Sequence, residues 1–185
     1  MRRLAVVIVV LGMAALGCSN LSKLGVGGSS EYSSDADKFS VTFPAGGDEL
    51  KAETNKGGKY TGPGMTYGKS YDNRSDNYRS YEVQVYKIAS PPTSEDDRHT
   101  TLLFGLNGWD DEPGTEVKDV TINGEKAIDS MRTVEIGPAK MSFREVCFYA
   151  DATQKLYVLQ LAAVNKDLLT AKEANDFVNS FKIKK

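Results

Sequence analysis

The chain has 185 residues, with 23 Lys and Arg against 25 Asp and Glu and a single His. A formal charge of −2 without a basic stripe leaves nucleic acid no electrostatic footprint, so nucleic-acid binding is set aside. One His and two Cys are too few for a four-ligand zinc site, and neither a metal nor a cofactor is expected.

Met1-Arg2-Arg3 is a short basic segment, and the run from Leu4 to Leu16 is apolar and uncharged. Basic, then apolar, then small is the order of a secretory signal. The run is shorter than the roughly 20 apolar residues that span a bilayer core. It also lacks the polar face of a helix packed in a soluble core. Ala14-Ala15-Leu16-Gly17-Cys18 resembles the lipobox of bacterial lipoproteins. In that family the Cys thiol takes a diacylglyceryl group, and cleavage before the Cys frees an amine that is often acylated too. The family usually has Leu three residues before the Cys; here that position is Ala15 and the Leu is Leu16, while Gly17 and Cys18 are in place. The resemblance implies a signal peptide over 1–17, acyl chains such as palmitate on Cys18, and the membrane as a partner through that lipid. A plain secretory signal is the alternative. Two or more acyl chains anchor stably, at about 0.8 kcal/mol per buried CH₂. Ser19 stands where an Asp usually retains such proteins at the inner membrane of Gram-negative bacteria. The expectation is therefore the cell envelope, on the periplasmic face of the outer membrane where there are two membranes. Without the first 17 residues, 168 remain, with 21 basic against 25 acidic side chains and a charge of −4.

Residues 18–37 read as the lipidated Cys and a flexible Ser- and Gly-rich tether, and 38–185 as one domain. Phe39, Val41 and Phe43 alternate with Ser40 and Thr42, a half-buried strand stopped by Pro44. Residues 45–63 are polar and Gly-rich, with at most a short strand. Met65 to Tyr71 and Tyr78 to Ile88 are two strands around a polar turn cluster at 72–77. In the second, Tyr81, Val83 and Val85 share what should be the core face. Thr93 or Ser94 can cap a helix whose first turn carries Glu95, Asp96 and Asp97. Leu102, Leu106 and Trp109 fall at helical spacing, Gly105 and Gly108 weaken the helix, and Pro113-Gly114 ends it. Val117 to Ile122 turns at Asn123-Gly124, a strong hairpin signal, into Ala127 to Ile136. Lys140 to Ala150 follows. Lys155 to Val164 is apolar on both faces, which marks a central strand. Thr170-Ala171-Lys172-Glu173 reads as a capping box. It opens an amphipathic helix with Ala174, Phe177, Val178 and Phe181 on its stripe. Strands, helix, strands, helix, with hairpins between neighbours, predict an α+β domain on a mainly antiparallel sheet flanked by helices.

Phe39-Ser40-Val41-Thr42-Phe43-Pro44, Ile122-Asn123-Gly124-Glu125 and Phe177-Val178-Asn179-Ser180-Phe181-Lys182 resemble the PsbP/DcrB-like family over about 38–183. The resemblance implies an α/β/α sandwich and a non-enzymatic role. The family includes envelope lipoproteins, a photosystem extrinsic subunit and a small-GTPase-binding relative, and it supplies no functional motif to carry onto this chain.

The residues with chemistry of their own are few. With Cys18 lipidated, Cys147 has no internal disulfide partner, and in Phe143 to Tyr149 it reads as a small buried hydrophobe. His99, at the polar start of the first helix, reads as a solvated helix residue, and no nucleophile motif accompanies it. Asp110-Asp111-Glu112 lacks the spacing of an EF-hand loop and reads as an exposed acidic loop. Asn20-Leu21-Ser22 and Asn73-Arg74-Ser75 match the glycosylation sequon by chance. Six of the nine tyrosines lie between 60 and 86, against a sheet-packing alternative, and Tyr67, Tyr71, Tyr78 and Tyr86 are the candidate binding face. No residue is assigned a catalytic role. The sequence thus predicts a lipid-anchored, non-catalytic domain that binds a protein or envelope component. The alternative is a hydrolase acting on an envelope polymer.

Overall fold

The computed structural model describes residues 29–50, 54–55, 64–71, 78–88, 90–106, 113–136 and 139–184. Cys18, the signal segment, most of the tether, Trp109 and the acidic triplet Asp110-Asp111-Glu112 lie outside the described residues.

Order begins earlier than residue 38. Strand β1 (Ser30–Ser34) pairs antiparallel with β2 (Phe39–Phe43), Tyr32 opposite Val41. The assignment of residues up to 37 to the tether is corrected here: Tyr32 is the one large apolar side chain in a Ser-rich stretch. Its ring lies 5.1 Å from Tyr67 and 5.8 Å from Phe39. The turn between the strands is pinned to the layer beneath it. Asp37 accepts hydrogen bonds from Tyr67 Oη and, at 2.8 Å, Lys155 Nζ, and its carbonyl accepts one from Tyr157 Oη at 2.8 Å.

The remaining strands are β3 (Asp48–Leu50), β4 (Thr54–Asn55), β5 (Gly64–Tyr71), β6 (Arg79–Lys87), β7 (Glu116–Ile122), β8 (Glu125–Ile136), β9 (Ala139–Ala150), β10 (Lys155–Ala163) and β11 (Lys182–Ile183). Among the described residues β1, β2 and β11 form a small sheet in the order β1-β2-β11, and the main sheet runs β3-β5-β6-β10-β9-β8-β7, with β4 beside β5. All pairings are antiparallel. β10 is central, as its two apolar faces require: Leu156, Tyr157, Val158 and Leu159 are all buried. Asn123 and Gly124 both have positive φ, 53° and 84°, which a type I′ hairpin demands and which matches the twist of β7 and β8.

Each face of the sheet has its own cover. On one side β2 and helix α2 (Lys172–Ser180) close an aromatic core with Phe39, Phe43, Tyr81, Phe148, Tyr157, Phe177 and Phe181. On the other, helix α1 (Glu95–Gly105) packs Leu102 and Leu106 on Ile128, Cys147, Tyr149, Leu156 and Val158. The fold is α+β, an antiparallel sheet between helices, as the order of elements predicts.

The helix ends differ in part from the sequence reading. Ser94 caps α1, its Oγ accepting from the Asp97 amide at 3.1 Å, while Thr93 Oγ1 donates to Asp97 Oδ2 at 2.9 Å. The capping box at Thr170 does not form. The N-cap is Ala171, without a side-chain bond, because a 3₁₀ turn (Lys166–Leu169) ends on Thr170 and Glu173 reaches Arg79 instead, at 2.7 Å.

Candidate functional site

The candidate tyrosines do not form one face. β5 and β6 are paired so that Tyr67 opposes Val83 and Tyr71 opposes Arg79. Opposed side chains of an antiparallel pair share a face, so Tyr67 and Tyr71 join Tyr81, Val83 and Val85 on the core side. Tyr71 is 6% exposed, donates to the Pro44 carbonyl at 2.7 Å and meets Tyr81 edge-on at 5.4 Å. Burial raises the phenol pKa of both Tyr67 and Tyr71. Tyr86 lies on the opposite side, half-buried, its Oη donating to Gln84 Oε1 at 2.6 Å, and Tyr78 is half-buried just before β6. The register of β5 on β6 therefore divides the four candidates between the two faces of the sheet, with Tyr71 buried and Tyr67, Tyr78 and Tyr86 half-buried.

His99 is exposed on α1, while its neighbour Arg98 bonds both oxygens of Asp151 at 2.8 and 2.9 Å and lies over the Tyr149 ring. Cys147 is fully buried, and burial, then the charge of Glu145, pushes its thiol pKa well up, so it is held as an unreactive thiol. Among the described residues no group of three or more His, Cys, Asp and Glu is placed to hold a metal, and no helix is long and apolar enough to cross a membrane.

A shallow cleft of about 190 Å³ opens where β7, β8 and β9 pass the 3₁₀ turn and the start of α2. Arg144 on β9 forms its floor. Its Nε donates to Asp129 Oδ1 at 3.0 Å and its Nη2 to Asp129 Oδ2 at 2.8 Å. Its Nη1 donates to the Leu169 carbonyl at 3.0 Å and to Asn175 Oδ1 at 2.8 Å. One side chain thus ties β8, the 3₁₀ turn and α2 together, with a bidentate geometry that only Arg provides. On the rim Glu116 is 2.9 Å from Lys166 Nζ and 3.8 Å from Lys118 Nζ. The hydrogen bond from Lys166, then the positive charges of both lysines, lowers the Glu116 pKa. Glu116 is therefore ionised at neutral pH and cannot act as a proton donor there. The cleft presents a fixed pattern of paired charge.

On the α1 side a polar ladder crosses four strands. Arg132 on β8 pairs with Glu145 on β9, both nearly inaccessible. Gln160 on β10 donates to Glu145 at 2.6 Å and accepts from Gln84 on β6 at 3.0 Å. Sequence reasoning missed both the ladder and the cleft. The signal was faint: Glu145 and Gln160 interrupt buried strands, but only the register sets one against the other.

No protein-family model matches the chain, and no curated protein matches it in sequence. The fold defines the class: an α+β domain, an antiparallel sheet with a helix on each face. The Ran-binding protein Mog1p of Saccharomyces cerevisiae is similar, with TM-score 0.50 and 9% identity over 84% of this chain and 95% of that one. A protein of Bacteroides thetaiotaomicron gives TM-score 0.53 and 9% identity over 85% of this chain and 49% of that one, so the chain spans about half its length. LpqN of Mycobacterium tuberculosis, involved in cell envelope biogenesis, gives TM-score 0.49 and 14% identity over 85% and 91% of the two chains. At such identities the likeness is one of fold.

Proposed function

We propose that this protein is a lipid-anchored, non-catalytic component of the cell envelope, whose folded domain binds a protein or envelope component. The observation that carries the non-catalytic reading is the state of the charges in the cleft. Asp129 is held on both oxygens by Arg144, and Glu116 is kept ionised by Lys166. Acid–base hydrolysis of a glycan needs a carboxyl free to hand a proton to the leaving group, whereas here Glu116 accepts from Lys166 and Asp129 is bonded on both oxygens by Arg144. What the cleft offers is fixed hydrogen-bonding groups at a solvent-open surface, which suits recognition. The yeast protein of similar fold is Ran-binding, so the fold accommodates a protein partner. The anchor rests on Arg2-Arg3, the apolar run and Gly17-Cys18, and the outer-membrane location on Ser19.

The test has two arms. Cells producing the full chain are labelled with a palmitate analogue and fractionated; label and membrane retention are expected for the wild type and should be lost in Cys18→Ser. Equal retention without label in both overturns the anchor. In the second arm a photo-crosslinking residue at Thr170, on the cleft, should trap a discrete adduct in intact cells. Release of fragments from purified envelope polymer, abolished by Asp129→Asn in a folded protein, overturns the non-catalytic reading.

A further inference from the structure

Strand β7 is the outer edge of the main sheet, and among the described residues no strand pairs with its free side. Glu116, Val117, Lys118 and Asp119 are all exposed, and Val117, at 43%, is one of two large exposed hydrophobics among the described residues. The strand pairs with β8 over its whole length and is joined to it by a tight turn at Asn123-Gly124. A free edge of this kind is a template for another strand, which natural sheets guard with charge.

We infer that β7 pairs antiparallel with β7 of a second copy of this chain, in the register centred on Val117. Two copies of one antiparallel strand are related by a two-fold axis perpendicular to the sheet. Opposed residues then share a face and differ by an even number, which leaves few registers. Centring on Glu116, Lys118 or Asp119 sets like charges directly against each other. Centring on Val117 instead sets Glu116 opposite Lys118 of the second copy, and Lys118 opposite its Glu116. The exposed Val117 side chains meet at the axis, and Thr115 opposes Asp119. The charge pattern is self-complementary in this one register.

The pairing has a consequence for the cleft, because Glu116 and Lys118 also line it. The two-fold axis keeps both clefts on the same face of a continuous sheet. Each receives Lys118 and Glu116 of the second copy on its outer rim, so the dimer offers two adjoining sites. The inference does not depend on the lipid or on what the clefts bind.

Disulfide trapping in the full chain tests the register. Under mild oxidation of whole-cell lysate containing the full chain, Val117→Cys should give a disulfide dimer well above the wild-type background, which carries Cys18 and the buried Cys147. Thr121→Cys, exposed on the same strand, should give none, since a strand rise of about 3.3 Å per residue places the two copies of position 121 roughly 26 Å apart. In sedimentation of the detergent-solubilised chain, Lys118→Glu should lose the dimer and Glu116→Lys with Lys118→Glu should regain it. These positions are exposed, and circular dichroism should show each variant folded. Background-level trapping at Val117→Cys, equal trapping at both positions, or a double variant as monomeric as the single overturns the inference.

Discussion

Gly105 on α1 lies directly over Cys147 on β9: a Cβ at position 105 would come to 2.1 Å from the Cys147 Sγ. From sequence alone Gly105 weakens a helix. In the structure its missing side chain lets the helix backbone approach the sheet and shut the thiol away from solvent. Gly105→Ala is therefore expected to destabilise by about 1–3 kcal/mol through overpacking, despite the better helix propensity of Ala. Cys147→Ala removes the clashing atom, so the double variant should recover part of the loss. Denaturant melts of the four chains give the coupling, and additive losses would show that the two residues do not press on each other.

Phe177 and Phe181 anchor α2 and the residue that ends it. Phe177 lies 5.3 Å from both Phe43 and Tyr81, and Phe181 stacks on Phe39 at 5.4 Å with 10° between planes. Either residue replaced by Ala should cost about 3–5 kcal/mol, read as a large drop in melting temperature. Wild-type melting in both would show that this end of the chain is not part of the core.

The Arg132–Glu145 pair is buried with Gln160 as its third member. Glu145→Leu alone should cost about 3–5 kcal/mol, because it leaves a buried guanidinium without its carboxylate. Arg132→Met added to Glu145→Leu should be milder than Glu145→Leu alone, since two apolar groups need no partner. If the double variant is the worse of the two, the ladder stabilises by more than mutual compensation.

Burial pushes the Tyr157 phenol up to about 12 from an ordinary value of 10.0. Its Oη donates to the Asp37 carbonyl at 2.8 Å and lies within hydrogen-bond distance, 3.0 Å, of the Thr153 hydroxyl. Because the folded state holds the proton more tightly than the unfolded state, this stability is complete below about pH 10 and is lost as pH rises towards 12. Tyr67 and Tyr71 are shifted in the same direction. Alkaline titration should therefore show tyrosinate absorbance from these residues rising together with loss of circular dichroism. Tyr157→Phe should move the unfolding midpoint to higher pH. Ionisation of all the tyrosines near pH 10 with the fold intact would contradict the burial described here.

What the sequence determined by itself was whatever a short stretch of chain decides locally. The Asn123-Gly124 hairpin follows from two residues that tolerate positive φ. The central place of β10 follows from apolar side chains at successive positions, since only a strand covered on both faces can bury them. The stripe of Ala174, Phe177 and Val178 follows from the helical repeat. The tertiary structure decided everything that needs two distant stretches placed side by side. The register of β5 on β6 sends Tyr67 and Tyr71 to one side of the sheet and Tyr86 to the other. The approach of α1 to β9 turns Gly105 from a weakness into a requirement. The aromatic neighbours of Tyr32 draw a Ser-rich segment into β1. The cleft exists because Arg144 meets Asp129, Leu169 and Asn175 from three separate elements. Periodicity says which side chains share a face of one element. Which faces meet is set by pairing and packing energies summed over the whole chain, and no local window contains that sum.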